Sequence, residues 1–107
     1  MSNNKKHNRM VTSIIDRPSL IGLEGVVLSS GETNIFDYEG RLIGKPDGVF
    51  FDTRGDWYAM EYKTSDAQRV KAMKQLMRTQ EHFKKYNITD DLQPMYVYGD
   101  YVVVRLK

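Results

Sequence analysis

The sequence predicts an α/β domain, a mixed β-sheet with one long helix packed on a face. Three observations carry that prediction. Two runs rich in aromatic and β-branched residues, Val49–Phe51 and Trp57–Met60, are separated by Thr53-Arg54-Gly55, three loop residues ending in glycine that suit a hairpin with a bulge. A long stretch of helical period follows from Ser65 to about Tyr86. Two more short apolar runs, Met95–Tyr98 and Tyr101–Leu106, close the chain around Gly99-Asp100, a two-residue hairpin turn with glycine first. Strands, one helix and strands again pack most simply as a sheet covered by that helix.

Taken in order, residues 1–10 (MSNNKKHNRM) are polar and basic and read as a flexible tail, with 11–107 as a single domain. A chain of 107 residues fits one compact core. Residues 11–43 are the least legible part: a short helix is expected from Pro18, then an extended segment, since Gly22 and Gly25 weaken any long helix. Asn34–Leu42 reads as strand and turn, with the bend at Glu39-Gly40. Ser65 and Gln68 have capping-box spacing at the start of the long helix, which should stop near Asn87. Its apolar stripe is Val70, Met73, Leu76, Met77, Gln80 and Phe83, with Lys71, Gln75, Arg78, His82 and Lys85 largely on the other side.

Composition narrows the chemistry. With no cysteine, disulfides, thiolate zinc sites, iron–sulfur clusters and cysteine nucleophiles are excluded. No run reaches membrane-spanning length and the N-terminus lacks a signal-peptide core, so an intracellular, cytoplasmic protein is expected. A net charge of +2 permits a nucleic-acid partner without demanding one. His7 and His82 have no partners at ligand or triad spacing, and no phosphate-cradling glycine loop is present.

The stretch GKPDGVFFDTRGDWYAMEYKTSD, residues 44–66, holds the candidate site. If Asp52 faces Asp56 across the loop, paired positions sum to 108, and Asp47 then lies opposite Glu61. Directly opposed residues share a sheet face with Cβ atoms roughly 4.5–5.5 Å apart. Lys63, two residues beyond Glu61, projects from the same face. Two opposed carboxylates destabilise a strand pair unless something compensates. A divalent cation does so: Mg²⁺ takes oxygen ligands, typically one or two carboxylates plus waters and substrate phosphate. The Tyr62 carbonyl would add an oxygen, and Lys63 would position a water or offset negative charge. The competing reading is a solvated Glu61–Lys63 pair, or a register slip at Gly55 that puts the acids on opposite faces.

Pro46-Asp47 followed by Glu61-Tyr62-Lys63, with one hairpin between, resembles the PD-(D/E)xK nuclease superfamily, restriction-endonuclease-like and Holliday-junction-resolvase-like members included. The resemblance spans residues 44–106 and implies a restriction-endonuclease-like fold and Mg²⁺- or Mn²⁺-dependent hydrolysis of DNA, endonuclease rather than exonuclease. By that pattern Asp47 and Glu61 ligate metal and Lys63 supports the attacking water. A glutamine on the following helix is often catalytic in the family. Gln75 is the candidate, with Gln68 and Gln80 as competitors, and Glu24 matches an acid often found on an early helix.

Lys71, Lys74, Arg78, Lys84 and Lys85 make the helix basic on its exposed side. By default this is a solvated face; under the nuclease reading Lys71, Lys74 and Arg78 would bind phosphates. The alternative function is a non-catalytic nucleic-acid- or protein-binding subunit with a nuclease-like fold. A homodimer, or membership of a larger nucleic-acid-processing complex, is compatible with either.

Overall fold

A five-stranded mixed sheet, in the order β1-β4-β5-β6-β7, forms the middle layer of the protein. The structure is a computed structural model that describes residues 5–86 and 88–105. Its strands are β1 (Val26–Ser30), β4 (Gly48–Asp52), β5 (Trp57–Lys63), β6 (Gln93–Tyr98) and β7 (Val102–Arg105). A separate two-stranded hairpin is built from β2 (Ile35–Phe36) and β3 (Leu42–Gly44). Helices α1 (Lys5–Asp16) and α2 (Arg69–Lys85) lie on opposite faces of the main sheet.

The central β4–β5 hairpin follows the predicted register, from Phe51↔Trp57 to Gly48↔Met60. Its loop is tight because Gly55 takes a left-handed conformation (φ 87°) that costs a side-chain-bearing residue energy. Alternation along β5 sends Tyr58, Met60 and Tyr62 to the α1 side, where they pack with Met10, Ile14 and Phe50. Ala59 and Tyr96 face α2 and pack with Ala72, Leu76 and Phe83. With both faces covered, β5 is buried along nearly its whole length. Strands β5 and β6 are parallel, and α2 is the crossover between them.

Several local expectations need correcting. Residues 5–10, read as part of a mobile tail, form the first half of α1; residues 1–4 lie outside the described residues. The reason is a helical stripe, Met10, Val11 and Ile14, that buries against the sheet. Ser65 does act as a cap, but it accepts from the Ala67 N–H at the head of a 3₁₀ turn, Asp66–Gln68, that precedes α2. On α2 the buried residues are Ala72, Leu76, Thr79 and Phe83, whereas Val70 and Met77 are exposed. The stripe is rotated because the β2–β3 hairpin covers part of the helix that was read as polar: a side chain on Gly44 would press on the Thr79 hydroxyl at 3.1 Å. The stop at Asn87 lies outside the described residues, and the helix ends with Tyr86 as its C-cap. The β6–β7 connection has three residues, since Tyr98 pairs with Val102, and Tyr101 takes the left-handed position (φ 65°). Leu106 lies outside the described residues. The short helix at Pro18 is a 3₁₀ turn, Pro18–Ile21, followed by β1 as the extended segment. Among the described residues no helix is long and apolar enough to cross a membrane.

Candidate active site

Asp47, Glu61 and Lys63 meet where β4 begins and β5 ends. Asp47 and Glu61 are 8% and 5% exposed, so both carboxyl groups have left most of their water behind. Continuing the ladder would turn the Asp47 N–H away from β5. Instead it donates to the Met60 carbonyl at 3.0 Å, so Asp47 stands just off the ladder at the end of the sheet. That turn places its carboxylate where β4 stops. There Oδ2 accepts the Tyr62 N–H at 2.8 Å and occupies a position the missing strand would have filled.

The same edge presents the Tyr62 carbonyl. The Met60 carbonyl and Tyr62 N–H both point toward β4, so alternation directs both polar groups of Tyr62 that way. Glu61 projects from the α2 face with Ala59, and Lys63 follows on that face by alternation.

Electrostatics set the two carboxyls of this cluster against each other. Burial pushes the Glu61 carboxyl well above the usual range. The Asp47 charge and a hydrogen bond to Asp47 push it further, the Lys63 ammonium opposes them, and Glu32 adds to the rise. Two buried carboxyls therefore share one proton more easily than they bear two charges. A hard divalent cation relieves the same conflict, and the oxygen-only donor set of Asp47, Glu61 and the Tyr62 carbonyl suits Mg²⁺ or Mn²⁺. Among the described residues no group of three or more histidine, aspartate or glutamate side chains is arranged to hold a metal ion. An ion at this site would draw its remaining ligands from water and substrate, as Mg²⁺ commonly does.

Gln75 is the glutamine that α2 brings to the cluster. It lines an open cleft of about 180 Å³ with Glu61, Lys45 and Arg78, and its Oε1 is buried without a hydrogen-bond partner. Gln80 is occupied in holding the Leu92 carbonyl (3.1 Å), and Gln68 is exposed at the 3₁₀ turn. Arg78 faces the cleft beside Glu61, while Lys71 and Lys74 are exposed on the preceding turns of α2.

Glu24 does not join the site. It borders a polar cleft with Arg54, Asp56 and Arg105, beside the Thr53–Gly55 turn at the other end of the β4–β5 hairpin. Two other residues do join. His7, on the first turn of α1, places Nε2 3.3 Å from Asp47 Oδ2 and sets its ring edge-on to Tyr62 at 5.6 Å. Glu32, in the loop after β1, acts on Glu61 through its charge and pairs with Lys45 at 3.9 Å. His7 was readable in principle, since His7, Met10, Val11 and Ile14 have i, i+3, i+4, i+7 spacing. Nothing local marks Glu32.

The same sheet-and-helix arrangement occurs in solved structures. The chain superposes on EndoMS in its complex with double-stranded DNA (TM-score 0.55, 19% identity), covering 87% of this chain and 37% of that one. It also superposes on a repair endonuclease from Pyrococcus abyssi (TM-score 0.54, 15% identity), covering 92% of this chain and 39% of that one. The fold is that of these two proteins. The chain spans less than two fifths of the length of either. No family model and no curated protein sequence matches it.

Proposed function

We propose that this chain is the catalytic domain of a metal-dependent endonuclease that hydrolyses phosphodiester bonds in DNA, with structured or branched DNA as the preferred substrate class. The observation that carries the reading is the buried Asp47–Glu61 pair, with Lys63 and Gln75 at its rim. A fold shared with an endonuclease that repairs DNA and with EndoMS, captured on a DNA duplex, supports it. Asp47, Glu61 and the Tyr62 carbonyl would hold Mg²⁺ or Mn²⁺. The bound ion would supply Lewis acidity toward a phosphoryl oxygen and lower the pKa of a coordinated water.

The chain's own residues do the rest. The Tyr62 N–H fixes one oxygen of Asp47, which leaves the other for the cation. Lys63, on the face of Glu61, places a positive charge where negative charge builds on the phosphate. Gln75 has an acceptor oxygen without a partner, which suits it to orient a water through that water's hydrogen. Arg78 and Lys45 flank the cleft and would hold substrate phosphates, with Lys71 and Lys74 extending the contact.

The test is incubation of plasmid, flapped and four-way DNA with Mn²⁺ or Mg²⁺, alongside Asp47→Ala, Glu61→Ala and Lys63→Ala. Cleavage should need the metal and vanish in all three variants while circular dichroism shows a retained fold. Cleavage that survives the three substitutions, or proceeds in chelator, sinks the proposal. A non-catalytic binding subunit is the second reading, favoured by one observation. His7 Nε2 and the Tyr62 N–H both engage Asp47 Oδ2. Calorimetry separates the two: Mn²⁺ binding that depends on Asp47 and Glu61 argues against this second reading.

A further inference from the structure

The β2–β3 hairpin carries an aromatic surface that the catalytic reading does not use. Phe36, Tyr38 and Leu42 are 53%, 88% and 53% exposed. The hairpin is seated on α2 by Ile35, which packs against the cluster of Leu76 and Phe83, and by the close approach of Gly44 to Thr79. Phe36 pairs with Leu42 across the two strands, and both are turned outward. Tyr38 meets the ring of Tyr86 edge-on, with centroids 4.5 Å apart, and His82 lies against that ring at 5.0 Å. These side chains border an open cleft of about 270 Å³ between the hairpin and the last turns of α2.

Cations stand at two edges of this surface. The Lys85 Nζ stands 5.5 Å from the Tyr86 centroid, Lys84 is exposed on the same turn, and Arg78 and Lys45 line the cleft on the other side of the hairpin. The acids of the hairpin tip, Asp37 and Glu39, are both bridged to Arg41. Exposed flat rings among cations match a nucleobase with its phosphates. Base–aromatic stacking is tolerant of sequence, and nearby cations take the backbone. The exposed Lys84 and Lys85 at the edge of the rings suit a phosphate-bearing strand better than a purely apolar protein partner, which would leave them unpaired.

The hairpin is also a shared wall. Leu42 borders the cleft of Glu61 and Gln75, and its cross-strand partner Phe36 borders the aromatic cleft. Gln75 and Tyr86 are eleven residues apart on one helix, about 16 Å at the α-helical rise. A strand with a phosphate at Glu61 therefore has bases within reach of Tyr38 and Tyr86.

We propose that the β2–β3 hairpin and the C-terminal turns of α2 form a stacking platform for unpaired bases of the DNA strand held at the Asp47–Glu61 site. The inference rests on the nuclease reading for its substrate and adds which part of that substrate is recognised. Binding, measured without divalent metal so that cleavage does not interfere, tests it. The probes are blunt duplex, duplex with a short single-stranded overhang, and the same overhang made abasic.

The wild-type protein should bind the base-bearing overhang about tenfold or more tightly than the abasic one. The double variant Phe36→Ala/Tyr38→Ala should lose that difference, and Phe36→Trp/Tyr38→Phe should keep it. Both substituted positions carry exposed rings, so an unchanged melting temperature verifies the fold. Equal affinity of the wild type for base-bearing and abasic overhangs overturns the platform, as does failure to bind any of the probes. A dimer that the double variant converts to monomer, with base discrimination unchanged, also overturns it and assigns the surface to a second copy of the chain. Base discrimination that persists although Asp47 and Glu61 prove dispensable for cleavage supports the platform and removes the nuclease reading alone.

Discussion

Strand β4 is bounded by an aspartate at each end, and the two are treated in opposite ways. Asp52 is 1% exposed, yet its carboxylate is fully engaged. The Arg54 and Asp56 N–H groups donate to Oδ1 at 2.9 and 3.0 Å, and the Arg54 guanidinium and Tyr58 hydroxyl donate to Oδ2 at 2.9 Å each. Burial alone would raise this carboxyl. The Asp56 N–H, the guanidinium, the tyrosine and the Arg54 N–H together outweigh burial and hold it well below the usual range. At the other end, Asp47 adds its charge to the burial of Glu61 and forces that carboxyl upward. A buried acid surrounded by donors locks a turn. A buried acid facing another acid stores a conflict that a cation resolves, and such conflicts are retained where function needs them.

The largest expected effect sharpens the contrast at the conflicted end. Glu61→Gln should reduce metal-dependent cleavage by at least about 10²–10³-fold, the scale seen when one preorganised electrostatic contact is lost. In chelator the same variant should melt higher than the wild type, by about 4–8 °C for each kcal/mol of repulsion removed. A gel-based cleavage assay and a thermal melt measure the two sides. A lower melting temperature would show that the pair is not strained.

Asp52→Ala should do the reverse. It strands the Tyr58 hydroxyl, two N–H groups and a guanidinium, so the melting temperature should fall further than for any other single substitution proposed here. Cleavage per folded molecule should be retained, because the turn lies at the far end of the hairpin from Glu61. Activity normalised to the folded fraction measures this.

The pH dependences should have opposite signs. Asp52 has its folded pKa below 3.8, so its contribution is complete above that value and is lost as pH falls through the folded pKa. Glu61 has its folded pKa above 4.5, so the folded state holds its proton longer and stability declines as pH rises beyond 4.5 toward the raised value. Urea midpoints of wild type, Asp52→Asn and Glu61→Gln in chelator from pH 3 to 9 should show each slope disappear in its own variant.

The smallest effect concerns the turn itself. Gly55→Ala meets no atom within 4 Å but must hold φ near 87°, so a loss of about 1 kcal/mol is expected, with cleavage unaltered. Chemical denaturation measures it.

Much of this was legible because it is local. The β4–β5 register follows from a three-residue loop, and the placement of Glu61 and Lys63 on one face follows from strand alternation. The α1 helix was missed because its basic surface hid a short apolar stripe. The stripe of α2 was misjudged because Gln75, Thr79 and His82 are covered by a hairpin that no helical period reveals. As sequence, Gln80 competes with Gln75, and only their neighbours separate a cleft-lining amide from one tied to the Leu92 carbonyl.

The sequence by itself determined the element order from residue 46 onward, the central hairpin and the nearness of two acids and a lysine, since each depends on residues close along the chain. Tertiary structure decided that Asp47 leaves the ladder to cap Tyr62, that His7 and Glu32 join the cluster while Glu24 does not, and that both carboxyls are buried. Those outcomes depend on which surfaces α1, the loop after β1 and the β2–β3 hairpin cover. Covering surfaces are chosen by long-range packing, and desolvation, which raises Glu61, exists only once they are in place.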